Sequence, residues 1–317
     1  MSKYQEIDLS KIRTYSVKDR KSKVHLKDFI KMDQVNIIDF INVLPNFLKA
    51  KDFRKLLFYC VNAYKIRKPI MIMMGGHIIK LGLGPLLIKL MENKIITSIA
   101  VNGSVCIHDF EIALFGKTSE DVSQALEDGS FGMGEETGRI INQVINQGDE
   151  QNLGVGEALG KYIMENKLPN WKKSVFAQAY KNNVPITVHI AIGTDIIHQH
   201  KYADGGHTGR ASYRDFKIFT NLVKELNNGG ILMNFGSAVI LPEIFLKAVT
   251  IVRNLGYPLK NFYTAVFDMN YHYRPQTNIV QRPTASGGKG YYFIGHHEIM
   301  IPLFGYALLN SINNFNW

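Results

Sequence analysis

The stretch Pro69-Ile70-Met71-Ile72-Met73-Met74-Gly75-Gly76-His77 decides how the chain is read. Its apolar run is short, ends at two glycines and leads into helical spacing that continues to Met91. That is a strand, a glycine turn and a helix. The unit recurs at Ile96–Val101, which runs into Asn102-Gly103-Ser104 and then a helix carrying Asp109 and Glu111. Further strands are predicted over Pro185–Ile192, ending at Gly193-Thr194-Asp195, over Ile231–Phe235, ending at Gly236-Ser237, and over Phe262–Phe267, ending at Asp268. Helical spacing fills Ser212–Leu226, the stretch after Ser237 up to Arg253, and a last segment from near His296 to about Ile312. Strands that alternate with helices of this length predict an α/β fold, with one parallel sheet covered by helices on both faces.

Upstream of the deciding stretch, Leu48, Phe53, Leu56, Leu57, Val61 and Tyr64 recur at helical spacing after Pro45. Residues 1–68 also hold 16 lysines and arginines against 7 acids, whereas the rest of the chain holds 21 against 20. The basicity therefore belongs to one end. The division expected is a basic N-terminal arm with helices over 1–68 and a single large domain over 69–317. No RNA-binding signature accompanies the basic arm, so it reads as a solvated extension, and nucleic acid is not expected as a partner.

Composition closes off several classes. Of 317 residues, 46% are apolar and 20% charged, which suits a core-forming globular chain and excludes a disordered one. The apolar runs are too short to span a bilayer. The opening MSKYQEIDLSKIR carries charge without an apolar core, so no signal peptide is expected. Two cysteines, Cys60 and Cys106, make no disulfide framework, and a reducing cytoplasm is the expected compartment.

In a parallel sheet, the loops leaving the carboxyl ends of the strands form the binding crevice. Here those loops carry Gly75-Gly76-His77, Asn102-Gly103-Ser104, Gly193-Thr194-Asp195, Gly236-Ser237 and Asp268. Glycines admit close backbone approach and the helices behind them favour anions, which together suggest a nucleotide-like ligand. Gly75-Gly76…Gly82-Leu83-Gly84 does not match the G-x-G-x-x-G spacing. Asp195, Asp204, Glu243 and Asp268 are acids that could meet a cationic substrate, although each could equally cap a turn or helix. Lys289 stands between glycines after a proline-led loop and ahead of Tyr291-Tyr292-Phe293. A lysine in an apolar pocket loses its proton more readily, and its free amine can form an imine. His296-His297-Glu298 lacks the spacing of a metal site, so no metal is expected, and His297 is read as an acid–base group.

As a set, Asn102-Gly103-Ser104-Val-Cys-Ile-His108-Asp109, Thr194-Asp195 and Arg282-Pro283…Gly288-Lys289 resemble deoxyhypusine synthase. VPITVHIAIGTDIIHQH, ASYRDF and GHHEIMIPL look closer still to the deoxyhypusine synthase-like branch of bacteria and archaea. The likeness runs from about Ile70 to the C-terminus. It implies a Rossmann-like NAD-binding fold, a homotetramer of paired subunits, and aminobutyl transfer from spermidine or a related polyamine through a lysine imine. The implied acceptor is a small amine such as putrescine, as in homospermidine synthases, or a lysine on a protein partner. Carried over by motif, Lys289 would hold the imine, and Gly76, His77, Gly103, Ser104, Asp195 and Asp268 would contact NAD. Asp204 and Glu243 would contact the polyamine. Where the family has Gly-Gly-Gly-Val before Lys-His-His, this chain has Gly236-Ser-Ala-Val-Ile-Leu-Pro242-Glu243, so the family's catalytic histidine is absent and His297 or His272 would supply the base. The family's substrate-stacking tryptophan is absent too. The alternative is a non-catalytic or repurposed nucleotide-binding protein of the same fold.

Overall fold

The computed structural model describes residues 10–28, 41 and 44–313. In chain order its elements are β1 (Ser22–His25), α1 (Leu48–Lys65), β2 (Ile70–Met74), α2 (His77–Lys80), α3 (Gly84–Glu92), β3 (Ser98–Asn102), α4 (Gly103–Phe115), β4 (Lys117–Glu120), α5 (Val122–Glu127) and α6 (Glu135–Glu150). There follow α7 (Val155–Glu165), α8 (Val175–Lys181), β5 (Ile186–His189), α9 (Gly205–Lys224), β6 (Ile231–Phe235), α10 (Ile240–Asn254), β7 (Phe262–Asp268), α11 (Tyr273–Pro275), β8 (Gly288–Ile294) and α12 (His297–Asn313). A π-helical turn, Gln276–Gln281, continues α11.

Six strands form one parallel sheet in the order β5-β3-β2-β6-β7-β8. Counted along the sheet's own strands this is 3-2-1-4-5-6, the doubly wound Rossmann order, and its direction reverses between β2 and β6. Strand side chains alternate between two cores. Ile70, Ile72, Met74, Ile99, Val101, Met233, Phe235, Phe267, Tyr291 and Phe293 join α1, α3, α4 and α12 on one face. Met71, Met73, Ala100, Leu232, Val266 and Tyr292 join α9 and α10 on the other. Burial on both faces explains why the strands read as continuous apolar runs.

The five strands expected from sequence are present, and a sixth, β8, was not expected. Gly288 and Gly290 hide this strand because glycine carries no strand signal. Both are needed by the packing: a Cβ at Gly288, where φ is +90°, would overlap the Phe262 carbonyl, and one at Gly290 would overlap the Val280 carbonyl. The free edge of β5 is closed by side chains of α9. Asp215 Oδ2 accepts the Val188 N–H at 2.8 Å, and Ser212 Oγ accepts the Ile190 N–H at 3.0 Å while donating to the Val188 carbonyl at 2.9 Å. A sheet edge satisfied in this way offers no ladder to another chain.

Within the arm, residues 1–9, 29–40 and 42–43 lie outside the described residues. The described part is not simply solvated. β1 pairs antiparallel with β4, and Arg20, 7% exposed, makes a bidentate pair with Glu111 at 2.8 and 2.7 Å. Glu111 is also bonded by Thr118 and Thr137. α1 buries Phe53, Leu56, Leu57, Cys60 and Val61 in the same core as the sheet, so the boundary drawn at residue 68 falls between two packed elements. No helix among the described residues is long and apolar enough to cross a membrane.

Candidate functional site

The loops at the carboxyl ends of β2, β3, β6 and β8 press against each other. A Cβ at Gly75 would meet the Gly236 carbonyl oxygen at 3.1 Å, and one at Gly76 would meet Ser104 Oγ at 2.5 Å. At Gly103 it would overlap Asp195 Oδ2, and at Gly236 it would lie 2.8 Å from the His297 ring. Gly236 also has φ +67°, a conformation that favours glycine. The strand-end glycines thus serve close approach between the loops and form a tightly packed crevice floor.

Around that floor stands a group of histidines and acids. His297 opens α12 and is 2% exposed. Its Nε2 lies 3.2 Å from the Phe267 carbonyl oxygen. A carbonyl can only accept, so Nε2 carries a proton, and Nδ1 has no partner. The His77 ring lies edge-on to His297, 5.8 Å between centroids. Burial, together with the His297 charge, lowers the His77 pKa below its ordinary value. Asp268, 4% exposed, accepts the Asn270 N–H at 3.2 Å through Oδ1 and faces His272 Nε2 at 3.5 Å, leaving Oδ2 unpartnered. Asp195 lies against Gly103 at the start of α4, and burial raises its pKa to about 6.

The structure brings Gly76, His77, Gly103, Ser104, Asp195, Asp268 and His297 to the carboxyl ends of the strands. Ser104 Oγ is turned to Asn102 Oδ1 at 3.0 Å. The structure does not bring Lys289 there. Asp204 caps α9, accepting the His207 N–H at 2.9 Å from an exposed position. Glu243 sits on α10 in ion pairs with Lys247 and with Arg274, the latter at 3.4 Å, and accepts from Asn278 Nδ2 at 2.9 Å. Lys289 is the second residue of β8, opposite Tyr263 near the start of β7. At about 3.3 Å per residue it lies roughly 16 Å along the strand from the carboxyl end. Its side chain is about half exposed, with Nζ 3.9 Å from Asp52 and 5.1 Å from the Tyr291 ring centroid.

Sequence reasoning passed over Asn234 and His189. Asn234 interrupts the apolar run of β6, is fully buried, and donates to the Ser237 carbonyl at 3.0 Å while Oδ1 stays unpartnered. His189 ends β5 with Nδ1 unpartnered, and His198 follows it with Nε2 unpartnered. A lone polar residue inside an otherwise apolar strand was the available signal. Among the described residues twelve buried side-chain polar atoms lack a partner, and five of them belong to this end of the sheet: His189 Nδ1, His198 Nε2, Asn234 Oδ1, Asp268 Oδ2 and His297 Nδ1. Buried polar atoms are ordinarily satisfied, so such a concentration sets this end of the sheet apart.

No family model matches the sequence, and no curated protein matches it in sequence. Solved structures do match in fold. The ternary complex of AgrE with ornithine and NAD+ superposes with a TM-score of 0.51 at 9% identity, over 84% of this chain and 33% of that one. ArgZ, an arginine dihydrolase from the ornithine-ammonia cycle in cyanobacteria, gives 0.49 at 14% identity, over 83% and 33%. A putative deoxyhypusine synthase from Entamoeba histolytica gives 0.48 at 11% identity, over 87% and 95%. The chain spans about a third of the length of AgrE and ArgZ. At these identities the likeness is one of fold.

Proposed function

We propose that the strand-end crevice binds NAD and that the protein is an NAD-dependent enzyme acting on an amine, in the manner of aminobutyl transfer from spermidine to a small amine such as putrescine. The observation that carries this reading is the set of unpartnered buried polar atoms at the carboxyl ends of the strands, on a 3-2-1-4-5-6 sheet. The donor set fits a dinucleotide. Asp195 offers a carboxylate to ribose hydroxyls, and Asn234 offers an acceptor to a carboxamide. NAD supplies a reversible hydride acceptor.

The remaining chemistry falls to the chain's own groups. Asp268 Oδ2 accepts from the substrate ammonium and orients it, and His297 Nδ1 takes the proton released when the secondary amine becomes an imine. The acceptor amine then displaces 1,3-diaminopropane from the carbon, and His297 returns the proton it took as the new imine becomes the secondary amine, a reduction for which NAD held in the crevice would supply the hydride. This exchange is direct, because Lys289 stands at the opposite end of the sheet from these groups. The crowded glycine floor keeps water from the imine, which would otherwise hydrolyse.

The test is mass spectrometry of small amines after incubation with NAD+ and spermidine, with and without putrescine. The expected result is 1,3-diaminopropane, accompanied by homospermidine when putrescine is present, and its loss in His297→Gln with NAD+ binding retained. Spermidine returned untouched overturns the amine assignment. NAD+ binding without turnover would leave the alternative, a nucleotide-binding protein of this fold.

A further inference from the structure

His108 stands on α4 four residues after Ser104, so the two side chains lie on one helix face. That face meets the glycine turn after β2. A Cβ at Gly76 would lie 2.5 Å from Ser104 Oγ and 3.0 Å from His108 Cδ2, the ring carbon next to Nε2. The other edge of the ring faces β4, where Nδ1 lies 2.8 Å from Thr118 Oγ1. Nε2 has no hydrogen-bond partner among the described residues and reaches solvent.

Which ring nitrogen carries the proton follows from a chain of buried contacts. Arg20 holds Glu111 through two hydrogen bonds, at 2.8 and 2.7 Å, so Glu111 is a carboxylate and can only accept. Thr118 Oγ1 lies 2.5 Å from Glu111 Oε2 and gives it its one proton. The Thr118 oxygen is then left to accept, and its donor is His108 Nδ1–H. Burial lowers the His108 pKa to about 4, against the opposing pull of Glu111 and with Lys80 and Arg20 adding to the fall. At neutral pH the ring therefore carries a single proton, on Nδ1, and Nε2 carries a lone pair.

We propose that His108 is a hydrogen-bond acceptor on the crevice floor, that Thr118 with the Arg20–Glu111 pair behind it positions the ring, and that Nε2 receives a hydroxyl or N–H of the bound ligand beside Gly76. The inference rests on the reading of the crevice as the ligand site and gives a role there to a residue that reading leaves unused. It also sets what can lie at this point. A lone pair repels a phosphate oxygen, and α2 is a single turn of four residues, so the turn after β2 meets a hydrogen-bond donor of the ligand and not a phosphate.

NMR of the full chain with nitrogen-labelled histidine reads the tautomer directly, and the signals lost in His108→Phe identify the residue. The parent should show His108 with Nδ1 protonated and Nε2 bare. Thr118→Val removes the acceptor and should populate both tautomers, and Thr118→Ser should restore the parent signals. A bare Nδ1 in the parent, or signals that Thr118→Val leaves in place, overturns the positioning. NAD+ added to the parent should shift the Nε2 signal, and His108→Phe should raise the Kd for NAD+ by about three- to tenfold, the loss of one hydrogen bond, with its circular dichroism unchanged. NAD+ that binds without moving either the Nε2 signal or the Kd overturns the ligand role and leaves the crevice reading standing. Absence of saturable NAD+ binding overturns the crevice reading and the ligand role together, while the tautomer in the parent still decides the part of Thr118.

Discussion

Asp215→Asn is the substitution whose outcome follows most directly from the packing. Asp215 is 1% exposed, and Oδ2 accepts N–H groups from Val188 at 2.8 Å and Gly156 at 3.1 Å, joining the β5 edge to the start of α7. Burial outweighs these hydrogen bonds and raises its pKa from 3.8 to about 7. A carboxyl with a raised folded-state pKa adds stability that is complete below its unfolded value and is lost as pH rises through its folded value. Between pH 5 and pH 7 the parent therefore pays for removing that proton, at about 1.4 kcal/mol per pH unit. Asparagine does not titrate, and every other group titrates alike in both proteins. The variant should lose stability relative to the parent at pH 5 and recover about 3 kcal/mol of that difference by pH 8. Urea unfolding at pH 5, 6, 7 and 8, with equal slopes in denaturant, measures the difference. A difference that does not change with pH, or that grows toward pH 8, refutes the argument that the buried carboxyl holds its proton.

Other expectations follow from single contacts. Arg20→Met leaves Glu111 as a buried charge without its cation, and unfolding should cost about 3–5 kcal/mol less than in the parent. Gly103→Ala drives a methyl into Asp195, so NAD+ affinity should fall with little change in helix content, as calorimetry and circular dichroism would show. Lys289→Ala removes only a half-exposed lysine 3.9 Å from Asp52, so NAD+ binding and amine transfer should persist in the product assay. Loss of transfer in that variant would return the lysine imine to the mechanism.

Much of the architecture was legible because burial on both faces makes a parallel strand visible as an unbroken apolar run. Ile70–Met74, Ile231–Phe235 and Phe262–Phe267 could be read for that reason, and the glycines after the first two marked where the crevice would be. β8 escaped because packing against the Phe262 and Val280 carbonyls requires glycines at 288 and 290, and glycine imitates a loop. That one missed element places Lys289 at the opposite end of the sheet from the crevice. β1 and β4 escaped as well, since a short pair far apart in sequence leaves no local pattern. At the site, sequence could nominate His77, Asp195, Asp268 and His297 from their places after strands. It could not tell which polar atoms lack partners, because that depends on contacts between loops remote in sequence. Asn234 and His189 became visible only through those contacts, and Asp204 proved to be a helix cap by the same test.

Calorimetric titration of NAD+ into the parent and into Asp268→Asn tests the central claim most directly. The account predicts saturable binding of one NAD+ per chain to the parent, and weaker binding of spermidine, not of NAD+, once the Asp268 carboxylate is neutralised. Absence of any heat or saturation with NAD+ in the parent would contradict it.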